Sequence, residues 1–121
     1  MSVGPKSANG ESMDSDRSDR NEDSLEGIKF EWYPLKAAAN LKKHKVSFDE
    51  ARTVFGDENA LVVPDRVHSD DEERSLVIGR SEQGRLLTVC FTERSDRLRI
   101  ISARLVEPWE RREYENANQQ G

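Results

Sequence analysis

Arginine residues recur in the C-terminal half of this sequence at spacings that suit neighbouring β-strands. Arg97 and Arg99 alternate with leucine and isoleucine, so both should point to one face of a strand. Arg80 and Arg94 stand at predicted strand ends, and Arg104 should point to the opposite face if its strand is regular. A guanidinium holds phosphate through two parallel hydrogen bonds and keeps its charge. The pattern favours a phosphate-binding surface, but arginines that merely pair with surface acids would give the same pattern.

A group of arginines of this kind suits RNA cleavage by the 2′-hydroxyl of the RNA itself. Cationic groups stabilise the charge that develops when the hydroxyl attacks the adjacent phosphate, and this chemistry needs an acid and a base but no metal. His68 is the natural acid–base candidate because its ordinary pKa lies near neutrality. A solvated loop histidine is the alternative. His44 follows two lysines near a predicted helix end, where a capping or packing role is the alternative.

Several other classes of chemistry have no support in the sequence. There is no glycine-rich phosphate loop, no cysteine pair and no His-Glu-x-x-His motif, so we expect no cofactor. The only histidines, His44 and His68, lie 24 positions apart, and a metal site would need carboxylates supplied by the fold. The single cysteine, Cys90, fits a reducing cytosol. No apolar run is long enough to span a membrane, and a cytoplasmic protein is predicted.

The charge of the chain is divided unevenly along its length. Residues 1–27 contain three basic and seven acidic residues, which give a net charge of −4 out of the total of −5. Their few large apolar residues cannot bury enough surface to offset the entropy of ordering. We predict a disordered acidic extension over 1–27, either inert or acting as an arm over a basic surface, and one folded domain over 28–121.

The patterning of the folded part predicts the elements that position these residues. Alternation over 28–32 predicts a strand, and Pro34 suits the first turn of a helix that runs to about His44. Leu35, Ala38 and Leu41 are predicted to form the buried stripe of that helix. Ser47 and Glu50 form a capping box, in which each side chain bonds the other residue's amide, before a second helix over 48–55.

Short apolar segments separated by turn residues follow. Strands are predicted over 60–63, 74–80, 85–92 and 97–104, and the third of these is apolar on both faces and therefore central. A last helix opens at 107–110 and runs to about residue 116. The predicted order is β-α-α-β-β-β-β-α, an α+β fold with helices on one face of a small antiparallel sheet.

Three stretches together resemble the BrnT toxin family, which has a RelE-like fold. The first runs from Phe30 through the Lys43-His44 pair to Asp57 and includes Asn40 and the capping box. The second contains His68-Ser69 and the segment from Glu72 to Gly79. The third contains Thr92-Glu93-Arg94, the segment from Arg99 to Arg104 and the segment from Glu110 to Glu115. The match covers nearly all of 28–115 in order and spacing.

This resemblance implies the toxin of a bacterial type II toxin–antitoxin system, an RNA-cleaving protein that stops translation. It also implies a BrnA-like antitoxin with a ribbon-helix-helix domain, through which the complex contacts operator DNA indirectly. We assign acid–base catalysis to His68 and Glu73, with Arg94 and Arg104 stabilising charge. The predicted RNA-binding residues are Lys43, His44, Arg80, Arg97 and Arg99.

Three positions depart from the usual family pattern. Tyr33 replaces an aspartate before the proline, Lys45 replaces a glycine after Lys-His, and Leu105 replaces a second basic residue. The alternative hypothesis is therefore a catalytically inactive binding module that acts as co-repressor with a DNA-binding antitoxin.

Overall fold

The helices and strands follow one another as the patterning predicts. The structure is a computed structural model, and it describes residues 27–65 and 73–119. The elements are β1 (Lys29–Glu31), α1 (Pro34–His44), α2 (Phe48–Thr53), a 3-10 turn (Val54–Gly56), β2 (Leu61–Pro64), β3 (Ser75–Arg80), β4 (Leu86–Arg94), β5 (Arg97–Leu105) and α3 (Pro108–Gln119). No helix in these two ranges is long and apolar enough to cross a membrane.

The five strands form one mixed sheet in the order β1-β5-β4-β3-β2. The α+β class and the central position of β4 are confirmed. The prediction of a wholly antiparallel sheet is wrong, because β1 runs parallel to β5, with Lys29 opposite Arg97. Parallel neighbours cannot be joined by a tight turn, and here two helices and three strands separate β1 from β5 in sequence.

The helices cover both faces of the sheet, so the prediction that they share one face is also wrong. We call the face that carries Val77 and Val89 the inner face, and it packs against α1, α2 and the 3-10 turn. The opposite, outer face carries Ile78, which packs with Leu86 and with Tyr114 of α3. Because β3 and β4 are apolar on both sides, each side needs a cover to exclude water.

A β-bulge in the β4–β5 pair changes which residues share a face. Cys90 lies opposite Ser102, but its neighbour Phe91 lies opposite Ile100, so Ile101 is an extra residue in β5. An extra residue shifts the alternation of side chains by one position. Arg99 and Arg104 therefore lie on the same outer face, whereas a regular strand would have placed them on opposite faces.

Asn40 completes the backbone hydrogen bonding of β5 beyond the end of β1. Its side-chain amide donates to the carbonyl of Ala103 at 2.8 Å and accepts from the Ala103 N–H at 3.1 Å. The same amide nitrogen donates to the Val46 carbonyl at 2.9 Å. Asn40 is buried, and this one side chain joins α1 to β5 and to the start of α2.

We expect Asn40→Leu to lower the free energy of unfolding by roughly 2–4 kcal/mol, because it leaves buried backbone groups of Ala103 without partners. Denaturant unfolding followed by circular dichroism measures the loss. Ala39→Leu, at the adjacent exposed position of the same helix, is the control and should change stability little. Equal losses in the two variants would contradict the assigned role of Asn40.

The buried stripe of α1 differs from the predicted one. Leu35 is 85% exposed and Leu41 is 50% exposed, while Asn40 is buried and Ala37 packs against the core. The three amide contacts of Asn40 fix this rotation of the helix, because turning Leu35 inward would leave buried backbone groups of Val46 and Ala103 without these partners.

The capping box is confirmed in one of its two halves. The Ser47 hydroxyl accepts from the Glu50 amide at 3.0 Å. The buried Glu50 carboxylate does not return to Ser47 but accepts from Arg85 and, at 2.7 Å, from the Ser81 hydroxyl. The Arg85 hydrogen bond outweighs burial and lowers the pKa of Glu50 below its usual range. Glu50 therefore joins α2 to the β3–β4 turn.

Lys45 ends α1 in a left-handed conformation with φ 61° and ψ 31°. Its N–H donates to the Leu41 carbonyl at 2.9 Å, the hydrogen bond expected of a helix C-cap. A side chain with a Cβ atom is strained in this region, whereas glycine is not.

We therefore expect Lys45→Gly to stabilise the fold by about 0.5–1 kcal/mol, through relief of backbone strain. Thermal unfolding measures the change. The control is Lys43→Gly, in the last turn of the same helix, which should destabilise the protein by about 1 kcal/mol. Destabilisation by both substitutions would show that the left-handed backbone of Lys45 carries no strain.

Candidate functional site

Three predicted site arginines meet at the β4–β5 hairpin. Arg94 ends β4 and lies directly opposite Arg97, which begins β5, and the two are joined by a turn at Ser95, whose φ is 56°. Arg99 follows two positions later and lies opposite Thr92. Opposed side chains stand about 5 Å apart, and next-but-one residues along a strand about 7 Å apart. We call Arg94, Arg97 and Arg99 the hairpin arginine cluster.

Arg99 is held in place by residues around the β1–α1 junction. Its Nε and Nη2 atoms lie 2.8 Å from the Glu31 carboxylate, and its Nη1 donates to the Tyr33 hydroxyl at 3.0 Å. The guanidinium carbon also lies 4.8 Å from the centroid of the Tyr33 ring. These contacts fix the plane of the guanidinium on a half-buried side chain.

Arg97 is paired more loosely. Its Nε lies 3.5 Å from the carboxylate of Asp96, whose side chain is 68% exposed. Lys29 approaches the same carboxylate at 3.9 Å. Ion pairs with this much solvent exposure contribute about 0–1 kcal/mol.

Glu73 lies beside Arg94 of the hairpin arginine cluster, on the side of β4 that faces away from β5. Its backbone carbonyl accepts from the Thr92 hydroxyl at 2.7 Å. Glu73 and Arg94 line an open groove of about 480 Å³, whose other lining residues are Val62, Ser75, Phe91, Thr92 and Glu93. Asp65 lies nearby, with its carboxylate 3.7 Å from Cys90 Sγ on the outer face. The described residues that flank 66–72 therefore both contact β4. His68 lies outside the described residues.

Arg104 lies on the outer face, like the hairpin arginine cluster, but it is paired with a residue of α3. Its two terminal nitrogens donate to the two oxygens of Glu110, each at 2.9 Å, and the Glu110 side chain is fully buried. Thr88 and the Glu107 amide also donate to Glu110, each at 2.8 Å. Burial alone would raise the pKa of Glu110, but these hydrogen bonds lower it, and the Glu110 hydrogen bond raises the pKa of Arg104.

Arg80 stands at the other end of the sheet. It lies opposite Leu86, eight residues along β4 from Arg94, which corresponds to roughly 25 Å. Its guanidinium donates to the Gly84 carbonyl at 3.1 Å and lies 6.0 Å from the centroid of the Tyr114 ring. Arg80 and the hairpin arginines therefore do not converge.

Lys43 and His44 end α1, which covers the inner face of the sheet. Lys43 is exposed and His44 is half-buried. Because Asn40 fixes this end of α1 beside Ala103, the pair lies away from the hairpin, on the opposite side of the sheet from Arg104. The predicted residues thus divide into a group at the hairpin (Glu73, Arg94, Arg97 and Arg99) and four residues elsewhere (Lys43, His44, Arg80 and Arg104).

Sequence reasoning missed three residues that orient the arginines: Glu31, Tyr33 and Glu110. Glu31 alternates with buried Phe30 but gives no sign that β1 pairs with β5 in parallel. In the sequence, Tyr33 stands out only as a departure from the family pattern. Glu110 has the sequence position of an ordinary acidic residue in the first turn of a helix, and no neighbouring residue indicates that it is buried.

The part of the chain that the structure describes is thus a small α+β protein with a half-exposed arginine cluster at one end of a mixed sheet. A family model described as the ribonuclease toxin BrnT of type II toxin–antitoxin systems matches residues 32–110. This match covers more than half of the chain, and the chain belongs to the BrnT family. No curated protein sequence matches it.

A solved structure supports the same fold. The crystal structure of the ribonuclease toxin BrnT of Brucella abortus superimposes with a TM-score of 0.52 and 23% sequence identity. The alignment covers 66% of this chain and 97% of that one. At this identity the similarity shows that the fold is shared.

The contacts of Glu110 predict a defined dependence of stability on pH. The pKa of Glu110 is lower in the folded protein than its usual 4.5. The contribution of ionised Glu110 to the free energy of unfolding is therefore complete above pH 4.5. It is lost as the pH falls through the folded pKa. Glu110→Gln breaks a buried pair and should cost roughly 3 kcal/mol at neutral pH.

Denaturant unfolding between pH 7 and acid measures this dependence. The loss of stability on acidification should be smaller in Glu110→Gln than in the wild type. Glu115→Gln, an exposed position on α3, is the matched control and should behave as the wild type. Identical pH profiles for all three proteins would show that Glu110 is not linked to folding.

Proposed function

We propose that this chain is an endoribonuclease that cleaves RNA without a metal ion. The observation that carries the proposal is the position of Arg94, Arg97 and Arg99 on one face at the hairpin, with Glu73 beside Arg94 at the groove. Membership of a ribonuclease toxin family supports the choice of RNA as the substrate. The groove beside Glu73 is open to solvent and leaves room for a ribose-phosphate.

The reaction follows from the chemistry of the ribose-phosphate. A base removes the proton of the 2′-hydroxyl, and the oxygen then attacks the adjacent phosphorus. The bond to the 5′-oxygen of the next nucleotide breaks, and an acid returns a proton to that oxygen. The products are a 2′,3′-cyclic phosphate and a 5′-hydroxyl. Arg94 and Arg97 stabilise the additional negative charge on the phosphate oxygens as the attack proceeds.

Glu73 and His68 carry the two protons in this proposal. Glu73 is exposed at the groove, and its backbone is fixed by Thr92. The covalent chain limits the Cα atom of His68 to roughly 11 Å from that of Asp65, which contacts β4. A histidine with a pKa near neutrality can serve as base or acid in turn.

The other predicted residues have different parts in this proposal. Arg99 contacts phosphate beside the cluster, oriented by Glu31 and Tyr33. Arg104 positions α3 through Glu110. We therefore give Arg104 a structural role in place of the charge-stabilising role that the sequence predicts. Lys43, His44 and Arg80 contact more distant parts of the RNA.

The proposed biological setting is that of a type II system in the cytoplasm. The chain inhibits translation by cleaving RNA, and a BrnA-like ribbon-helix-helix antitoxin neutralises it. Contact with operator DNA takes place through the antitoxin. This setting follows from the family, whose members are described as toxins of such systems.

A second candidate function is a binding module without catalytic activity, which acts as co-repressor with the antitoxin. The observation that favours it is the pairing of Arg99 with Glu31 and of Arg104 with Glu110. An arginine that is already neutralised by a carboxylate contributes less to phosphate binding. RNA cleavage by the isolated chain separates the two functions.

The test of the first proposal is cleavage of a labelled RNA by the purified chain in the presence of EDTA. We expect fragments that end in 2′,3′-cyclic phosphate. Arg97→Ala and His68→Ala should each lower the cleavage rate roughly 100-fold or more, since each removes a group that acts in the transition state. Induction in cells that lack the antitoxin should arrest growth for the wild type but not for these variants.

Arg111→Ala is the matched control, because Arg111 is an exposed arginine on α3 that is paired with the exposed Glu115. It should cleave RNA as the wild type does. Absence of cleavage by every protein, together with unchanged growth, would exclude the enzyme and leave the binding module.

A further inference from the structure

The outward side of α1 is an apolar and basic surface that no described element covers. Leu35 is 85% exposed and Leu41 is 50% exposed, and Ala38 and Ala39 between them are also exposed. The inward side of the helix is fixed by Asn40, so rotation cannot bury these residues. We call this side, with the lysines described next, the α1 outer surface.

The charge on this surface has one sign. Four lysines lie on α1 and its cap: Lys36, Lys42, Lys43 and Lys45. The stretch 33–47 contains no aspartate or glutamate. Exposed leucines flanked by lysines, in a stretch without acidic residues, suit a partner segment that is acidic and carries a few large apolar side chains.

A segment with these properties belongs to the same chain. Residues 11–26 contain seven acidic and two basic residues, and their large apolar residues are Met13 and Leu25. The described structure begins at Gly27, two positions before β1, and α1 begins three positions after β1 ends. A segment of 16 residues can span up to about 55 Å, so it can reach the whole length of α1. It lies outside residues 32–110, which match the family model.

We propose that residues 11–26 dock on the α1 outer surface of their own chain. Leu25 or Met13 covers Leu35 and Leu41, and the acidic side chains pair with the lysines. Because the segment is covalently attached, its effective concentration is high, and a modest contact area is sufficient. If Lys43 contacts RNA, a docked acidic segment excludes phosphate from the α1 outer surface. This consequence rests on the proposed function, whereas the docking itself does not.

The test places a nitroxide spin label on the full-length chain and records the amide signals of α1 by NMR. The label is attached at Ser18→Cys in a Cys90→Ser background, since Cys90 is the only native cysteine. We expect the amide signals of Leu35, Ala38 and Leu41 to lose more than half of their intensity. In 1 M salt, where the screening length is about 3 Å, much of this loss should disappear.

Two variants distinguish docking from mere proximity. Leu35→Glu combined with Leu41→Glu should abolish the broadening, because both apolar contacts are replaced by charges that repel the segment. Val62→Glu is the matched control at an exposed apolar position on strand β2, 62% exposed, and should retain it. The spectra themselves show whether each variant is folded.

Three results would overturn the proposal. Broadening that is absent, or spread evenly over the protein, would mean that the α1 outer surface is left for a separate partner. Broadening that persists in the double glutamate variant would mean that these leucines are not the contact. Broadening that also arises when the spin label and the isotope label are on different chains would indicate a second copy. None of these readings requires RNA cleavage, so they are independent of the proposed function.

Discussion

The fold depends on supplying hydrogen-bond partners to both edges of β5. One edge pairs with β4 along its length except at the extra residue Ile101, but the other pairs with β1 only at the residues opposite Lys29–Glu31. Beyond that point Asn40 takes the place of a strand and bonds both backbone groups of Ala103. Because unpaired buried backbone groups are costly, this constraint fixes the rotation of α1 and the side of the helix that faces solvent.

The same strand decides which arginines can act together. The extra residue at Ile101 places Arg99 and Arg104 on one face, yet roughly 15 Å apart along the strand. The two are therefore held by different elements: Arg99 by β1 and Tyr33, and Arg104 by α3. The bulge thus places Arg97, Arg99 and Arg104 on the same outer face of β5, although different elements hold them.

Much of the fold could be predicted from local patterns, because each pattern reflects a local cause. Proline at the start of α1, the Ser47 cap and the Ser95 turn fix element ends through backbone chemistry within a few residues. The bulge at Ile101 and the parallel pairing of β1 depend on contacts far apart in sequence, and the burial of Glu110 depends on how α3 packs on the sheet. Nothing in the neighbouring residues indicates them, and these features decide how the candidate site is assembled.

The pairing of each arginine determines where a phosphate can bind. Displacing the fully buried Glu110 from Arg104 would leave a carboxylate without its partner in the protein interior, which costs several kcal/mol. Displacing Asp96 from Arg97 costs little, since Asp96 is exposed and Arg97 is partly exposed, and water replaces the lost contact. Arg99 lies between these cases, because Glu31 is partly exposed. Phosphate therefore competes best with the carboxylate partners of the hairpin arginines, because these carboxylates can turn to solvent. Arg104 stays paired with Glu110 of α3 and has a structural role.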